Sequence, residues 1–466
     1  MAAEEANGTR ARRPWIMNAF AMTAPGHLAP GLWRHPAQEK QTLEHWVLIA
    51  KLLEEAKFHG IFFADVLGIY DVYGNDNAPA LRSAAQIPIL DISLLISALA
   101  YETKHISFGI TASTTYENPY ALARKFSTLD QITNGRVAWN IVTSYLQSAA
   151  DSFGLDQQVE HDERYKMADE FLEVVYKLLE GSWEDDAVEA DKATGVYANP
   201  AKVHKINHVG KYYKCTGPNL VDPTPQRTPF LFQAGASKSG MAFAAAHAEA
   251  MFLPGMIPAK TQQIVHTVRG ILKDIGRPET SVKFLAGMFI VVAETDEEAH
   301  AKYQDLLQYV DLEGTAALFG GWTGTDLSKF SDDEDFAFNG PPAIQGLINS
   351  WAATAPGGTK WTKKRVLQEL SICGAHPKAV GSATTVADIL ETWINEAEVD
   401  GFNLSYATTP GTFEDMIKYL WPELRRRGVL QTEYSGKTMR ESFLGDGGGP
   451  RVRKGHPANR FKHVVN

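Results

Sequence analysis

Eight short apolar runs, each followed by a segment of helical periodicity, constrain this 466-residue chain more than any other feature. They lie at 15–22 (WIMNAFAM), 60–65 (GIFFAD), 106–112 (ISFGITA), 136–142 (RVAWNIV), 229–235 (PFLFQAG), 250–255 (AMFLPG), 284–293 (FLAGMFIVVA) and 401–406 (GFNLSY). Most are apolar throughout rather than alternating. That marks strands buried on both faces, as a parallel sheet covered by helices requires. Between them, residues 44–58 place Trp46, Ile49, Leu52, Leu53 and Ala56 on one side, and Pro119 opens a helix at its first turn. A long amphipathic segment runs over 163–179. This order predicts the α/β class and a (β/α)8 TIM barrel. No G-x-G-x-x-G follows the first strand, which disfavours a dinucleotide-binding sheet.

A barrel of this kind needs roughly 250 residues. The excess is expected in insertions at about 185–228 and 311–380, the first holding a hairpin, HVGKYYKC, that turns at Gly210. The expected organisation is a disordered tail over 1–13, a single barrel over 14–440, and a Gly-rich, basic C-terminal extension over 441–466. The formal net charge of −10 argues against a nucleic-acid partner, which asks for a basic face. No run reaches the ~20 apolar residues of a membrane span. The N-terminus lacks the apolar core of a secretory signal. A cytoplasmic protein is expected, with Cys215 and Cys373 as unpaired thiols.

The active site of a TIM barrel lies at the C-terminal ends of its strands. His27 follows the first strand, and Asp65 and Tyr70 the second. Thr111 ends the third. Asn140, Thr143 and Ser144 end the fourth, with His161 and Tyr165 beyond, and Gln233 and Ser237 follow the fifth. No carboxylate–histidine cluster has metal-ligand spacing, so no metal is expected. No G-x-S-x-G elbow supports a hydrolase. A lining of hydroxyls and amides suits a polar, planar, phosphorylated cofactor. The turn G-A-S-K-S-G opens a helix whose free N–H groups suit a phosphate. Ser237 is equally a plain helix N-cap. His161 and Tyr165 are equally a solvated first turn, and His27 equally a structural loop histidine.

Six segments carry a family resemblance: GLWRHP (31–36), FFADVLGIYDVYG (62–74), TTYENPYALARKFSTLDQITNGRVAWNIVTS (114–144), EHDERY (160–165), PQRTPFLFQAG (225–235) and DGFNLSYATTPGTFEDMI (400–417). Together they resemble the two-component FMN-dependent monooxygenases of the bacterial-luciferase superfamily. The branch is that of the nitrilotriacetate monooxygenase oxygenase component, the pristinamycin synthase oxygenase, dibenzothiophene-sulfone monooxygenase and, nearest, long-chain alkane monooxygenase. The resemblance implies reduced FMN made by a separate NAD(P)H:flavin reductase and reaching the barrel by diffusion. It implies O2 activation as a C4a-peroxyflavin, an organic co-substrate, and a homodimer or homotetramer. It places Asp65 and Thr111 near the flavin ring, Asn140 near the ring or ribityl chain, and His161, Tyr165 and Ser237 toward the phosphate. His27 becomes the candidate acid/base or peroxide hydrogen-bond donor. The 311–380 insertion becomes a candidate lid.

The chain departs from the alkane-oxidising pattern on the expected substrate wall. Ala24 stands where a cysteine is expected, and Tyr145, Thr315 and Leu318 where histidines are expected. Together with Phe319 and Trp322 this makes a more apolar, aromatic wall. An apolar or heteroaromatic substrate, of alkane or sulfone type, is therefore expected rather than a polyanion. Two alternatives stay open: a deazaflavin-dependent oxidoreductase of the same superfamily, and a non-catalytic flavin-binding barrel.

Overall fold

The computed structural model describes residues 14–255, 257–336, 347–349, 351 and 359–462. The tail expected over 1–13 lies outside them, as do parts of the 311–380 segment and residues 463–466.

Nine parallel strands form the main sheet: β1 (Ile16–Ala21), β2 (Gly60–Phe63), β3 (Ser107–Ser113), β4 (Val137–Val142), β5 (Phe230–Gln233), β6 (Ala250–Leu253), β7 (Lys283–Ala293), β8 (Lys378–Ser382) and β9 (Gly401–Ser405). Eight of them close a ring in the order β1-β2-β3-β4-β5-β6-β7-β9, and β9 returns to β1 with Ile16 opposite Gly401. These are the eight runs visible in the sequence. The ninth strand, β8, is not among those runs. It pairs only with the second half of β7, from Phe289 opposite Lys378 to Ala293 opposite Ser382. The 11 residues of β7 allow this, because its first half already serves β6 and β9.

Period-two alternation sorts the side chains. Phe20, Phe62, Phe232 and Phe252 meet inside the barrel, with ring centroids 4.8 Å apart for Phe20–Phe252 and 5.1 Å for Phe62–Phe232. Their neighbours Ala19, Ile61 and Phe63 face outward and pack with Trp46, Ile49 and Leu53 of helix Leu43–Glu55. The interior is thus a packed aromatic plug rather than a pore, which confines open space to the ends of the strands.

The helices follow their caps. Thr42, Asp91, Asn118 and Ser237 each accept a backbone N–H of the first turn. The long helix runs from His161 to Gly181, starting two residues before the expected segment, because Glu160 accepts the N–H groups of Asp162 and Glu163. The hairpin pairs His208–Val209 with Lys214–Cys215. Glu170 fastens it by accepting the N–H groups of Lys211, Tyr212 and Tyr213 at 2.8–3.1 Å. At the opposite end of the barrel, fully buried Arg440 meets Glu249 at 2.6 and 2.7 Å and donates to the carbonyls of Thr228 and Pro229. His456 then reaches the His247 carbonyl at 2.9 Å, so residues 440–461 lie on their own barrel.

Candidate active site

A cavity of about 300 Å³ opens at the C-terminal ends of β2, β4 and β5. Its rim combines Asp65, Thr143, Ser144, His161, Arg164, Tyr165 and Gln233 with the apolar Val66, Leu67, Leu146 and Phe243, and with Tyr145. Of the residues singled out from the sequence, Asp65, Thr143, Ser144, Tyr145, His161, Tyr165 and Gln233 line it directly, whereas His27, Thr111, Asn140 and Ser237 do not.

Its polar end is assembled by two helix starts. Ser237 caps helix Lys238–His247 by accepting the Gly240 N–H at 3.0 Å, so the plain capping role is real. The same hydroxyl lies 3.4 Å from His161 Nε2 at the start of helix His161–Gly181. Capping and a place at the polar end therefore fall on one atom. Gly235 and Gly240 let the Tyr165 hydroxyl approach the backbone. A Cβ on Gly235 would lie 2.5 Å from Tyr165 Oη and 2.4 Å from Gln233 Nε2, closer than real Cβ atoms come. Burial raises the Tyr165 pKa, so the phenol keeps its proton and can donate. Arg164 adds a guanidinium to the lining, with Nε buried and unpartnered. Local pattern hides it, because E-H-D-E-R-Y reads as a capping sequence.

The other end is set by β3 and β4. Asn140 donates its amide N–H to Thr111 Oγ1 at 2.8 Å, and Thr111 donates to the Phe63 carbonyl at 2.8 Å. These two side chains sit one layer below the cavity lining. Asn140 Oδ1 and Gln233 Oε1 are left buried without a partner. Two orphaned acceptors at the mouth of a barrel are costly unless a ligand supplies donors. Asp65 stands two residues beyond β2. Burial first, then the nearby Asp91 and Glu117 carboxylates, push its pKa up to about 7. The chain leaves β4 through Ser144, whose φ of +56° is left-handed, and its hydroxyl donates to Ser113 at 2.9 Å. Such backbone strain concentrates at functional sites.

His27 is not brought to the cavity lining. Its ring packs against Phe20 at 4.6 Å and Tyr406 at 5.6 Å, and both ring nitrogens are buried without partners. Burial, reinforced by His376, lowers its pKa to about 3. It is neutral at physiological pH.

Behind Tyr145 of the cavity lining, Tyr70 makes a hub that local sequence does not show. Its hydroxyl lies 2.8 Å from Gln86 Oε1, 2.7 Å from Tyr145 Oη and 3.2 Å from Trp322 Nε1. These partners come from separate segments, so only the fold unites them. Leu318 packs in the same apolar cluster as Tyr70 and Leu146. Ala24 and Thr315 are buried, and neither is in the cavity lining.

A parallel eight-stranded ring with a polar, anion-suited cavity at its strand ends defines a TIM-barrel enzyme of the luciferase-like type. The luciferase-like monooxygenase family model matches residues 20–401, and the chain belongs to that family of flavin-dependent monooxygenases. It is 46% identical over 450 residues to the dimethyl-sulfide monooxygenase of Hyphomicrobium sulfonivorans, covering 96% of this chain and 93% of that one. It is 44% identical over 451 residues to the long-chain alkane monooxygenase of Geobacillus thermodenitrificans strain NG80-2, covering 96% and 98%. The crystal structure of a riboflavin lyase, with modified FMN and riboflavin, superposes with a TM-score of 0.88 at 34% identity, covering 97% of this chain and all of that one.

Proposed function

We propose that this chain is the oxygenase component of a two-component system. It takes reduced FMN from a separate NAD(P)H:flavin reductase by diffusion, binds it at the strand ends, and inserts one atom of O2 into a small apolar substrate. The observation that carries this is the two-ended cavity. One end gathers Arg164, His161, Tyr165, Ser237 and a helix N-terminus, a donor set for a phosphate. Two orphaned acceptors, Gln233 Oε1 beside Tyr165 and Asn140 Oδ1 just below the lining on the β3–β4 side, suit the N–H and hydroxyl groups of a flavin. The relatives named for dimethyl sulfide and for long-chain alkanes support the substrate class.

Reduced flavin, when bound, supplies the electrons that activate O2; the protein supplies placement and dryness. Tyr165 and Ser237 donate to the phosphate, and Arg164 neutralises it. Thr111 accepts the Asn140 amide N–H and so leaves Asn140 Oδ1 free, which would accept a donor of the flavin when bound. Asp65, poised near neutrality, accepts or donates a hydrogen bond at the ring edge. Leu146 and Phe243, both buried, give the cavity dry apolar walls, while Leu67 and Tyr145 stand exposed at its mouth. His27, neutral at working pH and packed against Phe20 with its ring nitrogens unpartnered, takes no general-acid role in this reading.

The test supplies a flavin reductase, FMN and NADH, and offers a dialkyl sulfide, a medium-chain alkane, a sulfone and nitrilotriacetate in turn. Oxygenated product from the sulfide or the alkane is expected. Turnover of nitrilotriacetate alone would overturn the substrate class.

A further inference from the structure

The Tyr70 hub fixes the direction of every proton in it. Gln86 Nε2 lies 2.8 Å from the carbonyl oxygen of His27. A carbonyl only accepts, so the amide nitrogen of Gln86 faces it and Oε1 faces Tyr70. An amide oxygen also only accepts. Tyr70 must therefore give its single proton to Gln86, at 2.8 Å. The Trp322 indole N–H only donates, and it donates to Tyr70 Oη at 3.2 Å. Tyr70 has no proton left for its 2.7 Å contact with Tyr145, so Tyr145 must donate to Tyr70. Tyr70 cannot move to escape this arrangement. It is buried, and a Cβ on Gly321 would lie only 2.1 Å from its ring. Burial keeps the Tyr70 phenol protonated, and the Tyr145 hydroxyl, enclosed although its residue is 43% exposed, is pushed up to about 12.

We infer that Tyr145 presents only lone pairs and ring surface to the cavity, and that this wall selects substrates lacking strong hydrogen-bond acceptors. This deepens the oxygenase reading and rests on it. A thioether or hydrocarbon loses nothing against such a wall. A sulfoxide, sulfone or carboxylate oxygen placed there gives up its hydrogen bonds to water and finds no donor in Tyr145. The selected class is therefore the unoxidised sulfide or alkane, not the sulfone. An oxygenated product meets the same wall, which favours its departure.

The experiment is calorimetric titration of the FMN-loaded protein with a dialkyl sulfide and with the corresponding sulfoxide. Tyr145→Phe removes the phenolic oxygen but keeps the ring. Because no proton of Tyr145 faces the cavity, Tyr145→Phe is expected to bind the sulfoxide no more weakly than wild type. Gln86→Leu takes away the acceptor that claims the Tyr70 proton. Tyr70 can then donate to Tyr145, whose own proton turns to the cavity. The sulfoxide-to-sulfide affinity ratio is expected to rise about five- to tenfold, the value of one neutral hydrogen bond. A tenfold loss of sulfoxide binding in Tyr145→Phe, or an unchanged ratio in FMN-binding Gln86→Leu, overturns the inference. If Gln86→Leu fails to fold, Tyr70→Phe, which removes the acceptor of the Tyr145 proton, is read in its place; the same rise is expected, and an unchanged ratio overturns the inference. A wild-type protein that binds FMN but neither ligand overturns the inference and leaves the flavin site standing. A wild-type protein that does not bind FMN overturns the oxygenase reading itself.

Discussion

Replacing Tyr165 by phenylalanine isolates one atom of the proposed phosphate site. The ring keeps its packing against Phe243, at 5.6 Å between centroids, so the fold should be untouched. The lost hydroxyl sits where the glycines at 235 and 240 leave room, beside the Ser237 cap. A hydrogen bond to a charged acceptor contributes about 1.5–2 kcal/mol, so the Kd for FMN should rise about 10- to 30-fold. Quenching of flavin fluorescence on titration measures it. Riboflavin, which lacks the phosphate, provides the control. Its affinity should change less than about twofold in Tyr165→Phe. If FMN affinity is unchanged, Tyr165 is not at the phosphate. If riboflavin weakens as much as FMN, the hydroxyl contacts another part of the flavin.

Gly235→Ala drives a Cβ to 2.4 Å from Gln233 Nε2. Overpacking of this kind costs about 1–3 kcal/mol, so FMN binding should fall by at least about fivefold in the same titration. Asp65, raised to about 7 by burial, binds its proton more tightly folded than unfolded, where it ionises near 3.8. Its contribution to stability is thus full below about pH 4 and is lost as the pH rises toward 7, about 2–4 kcal/mol in all. Urea unfolding across that window should show a decline that Asp65→Asn abolishes; equal slopes in both proteins would refute it. Glu249→Gln leaves the fully buried Arg440 without its counter-charge and should cost about 3–5 kcal/mol in urea unfolding, whereas a loss under about 1 kcal/mol would show the pair to be dispensable.

The eight ring strands are legible in the sequence because a strand buried on both faces must be apolar along its whole length, and FLFQ and GIFF announce that locally. The strand Lys378–Ser382 is not. It is short, contains Gly381, alternates between buried and half-buried, and gains its hydrogen bonds only because β7 is unusually long. Asp65 can be found because a charge stands out just after an apolar run, and His161 and Tyr165 because they open the long helix that follows the fourth strand. Arg164 cannot, since a charged residue in a first helical turn is the ordinary case. The Tyr70 hub is invisible for another reason. It joins positions 70, 86, 145 and 322, and no local periodicity records a meeting across 252 residues. His27 stands out by its loop, yet its ring turns inward against Phe20, because strand-end position does not fix side-chain direction.

In the proposed function this cavity couples flavin oxidation to transfer of one oxygen atom. A single turnover of protein with photoreduced FMN, a dialkyl sulfide and 18O2 tests it most directly. One 18O atom is expected in the organic product and the other in water. Recovery of all the label as hydrogen peroxide, with the sulfide unchanged and an alkane equally inert, would contradict the account.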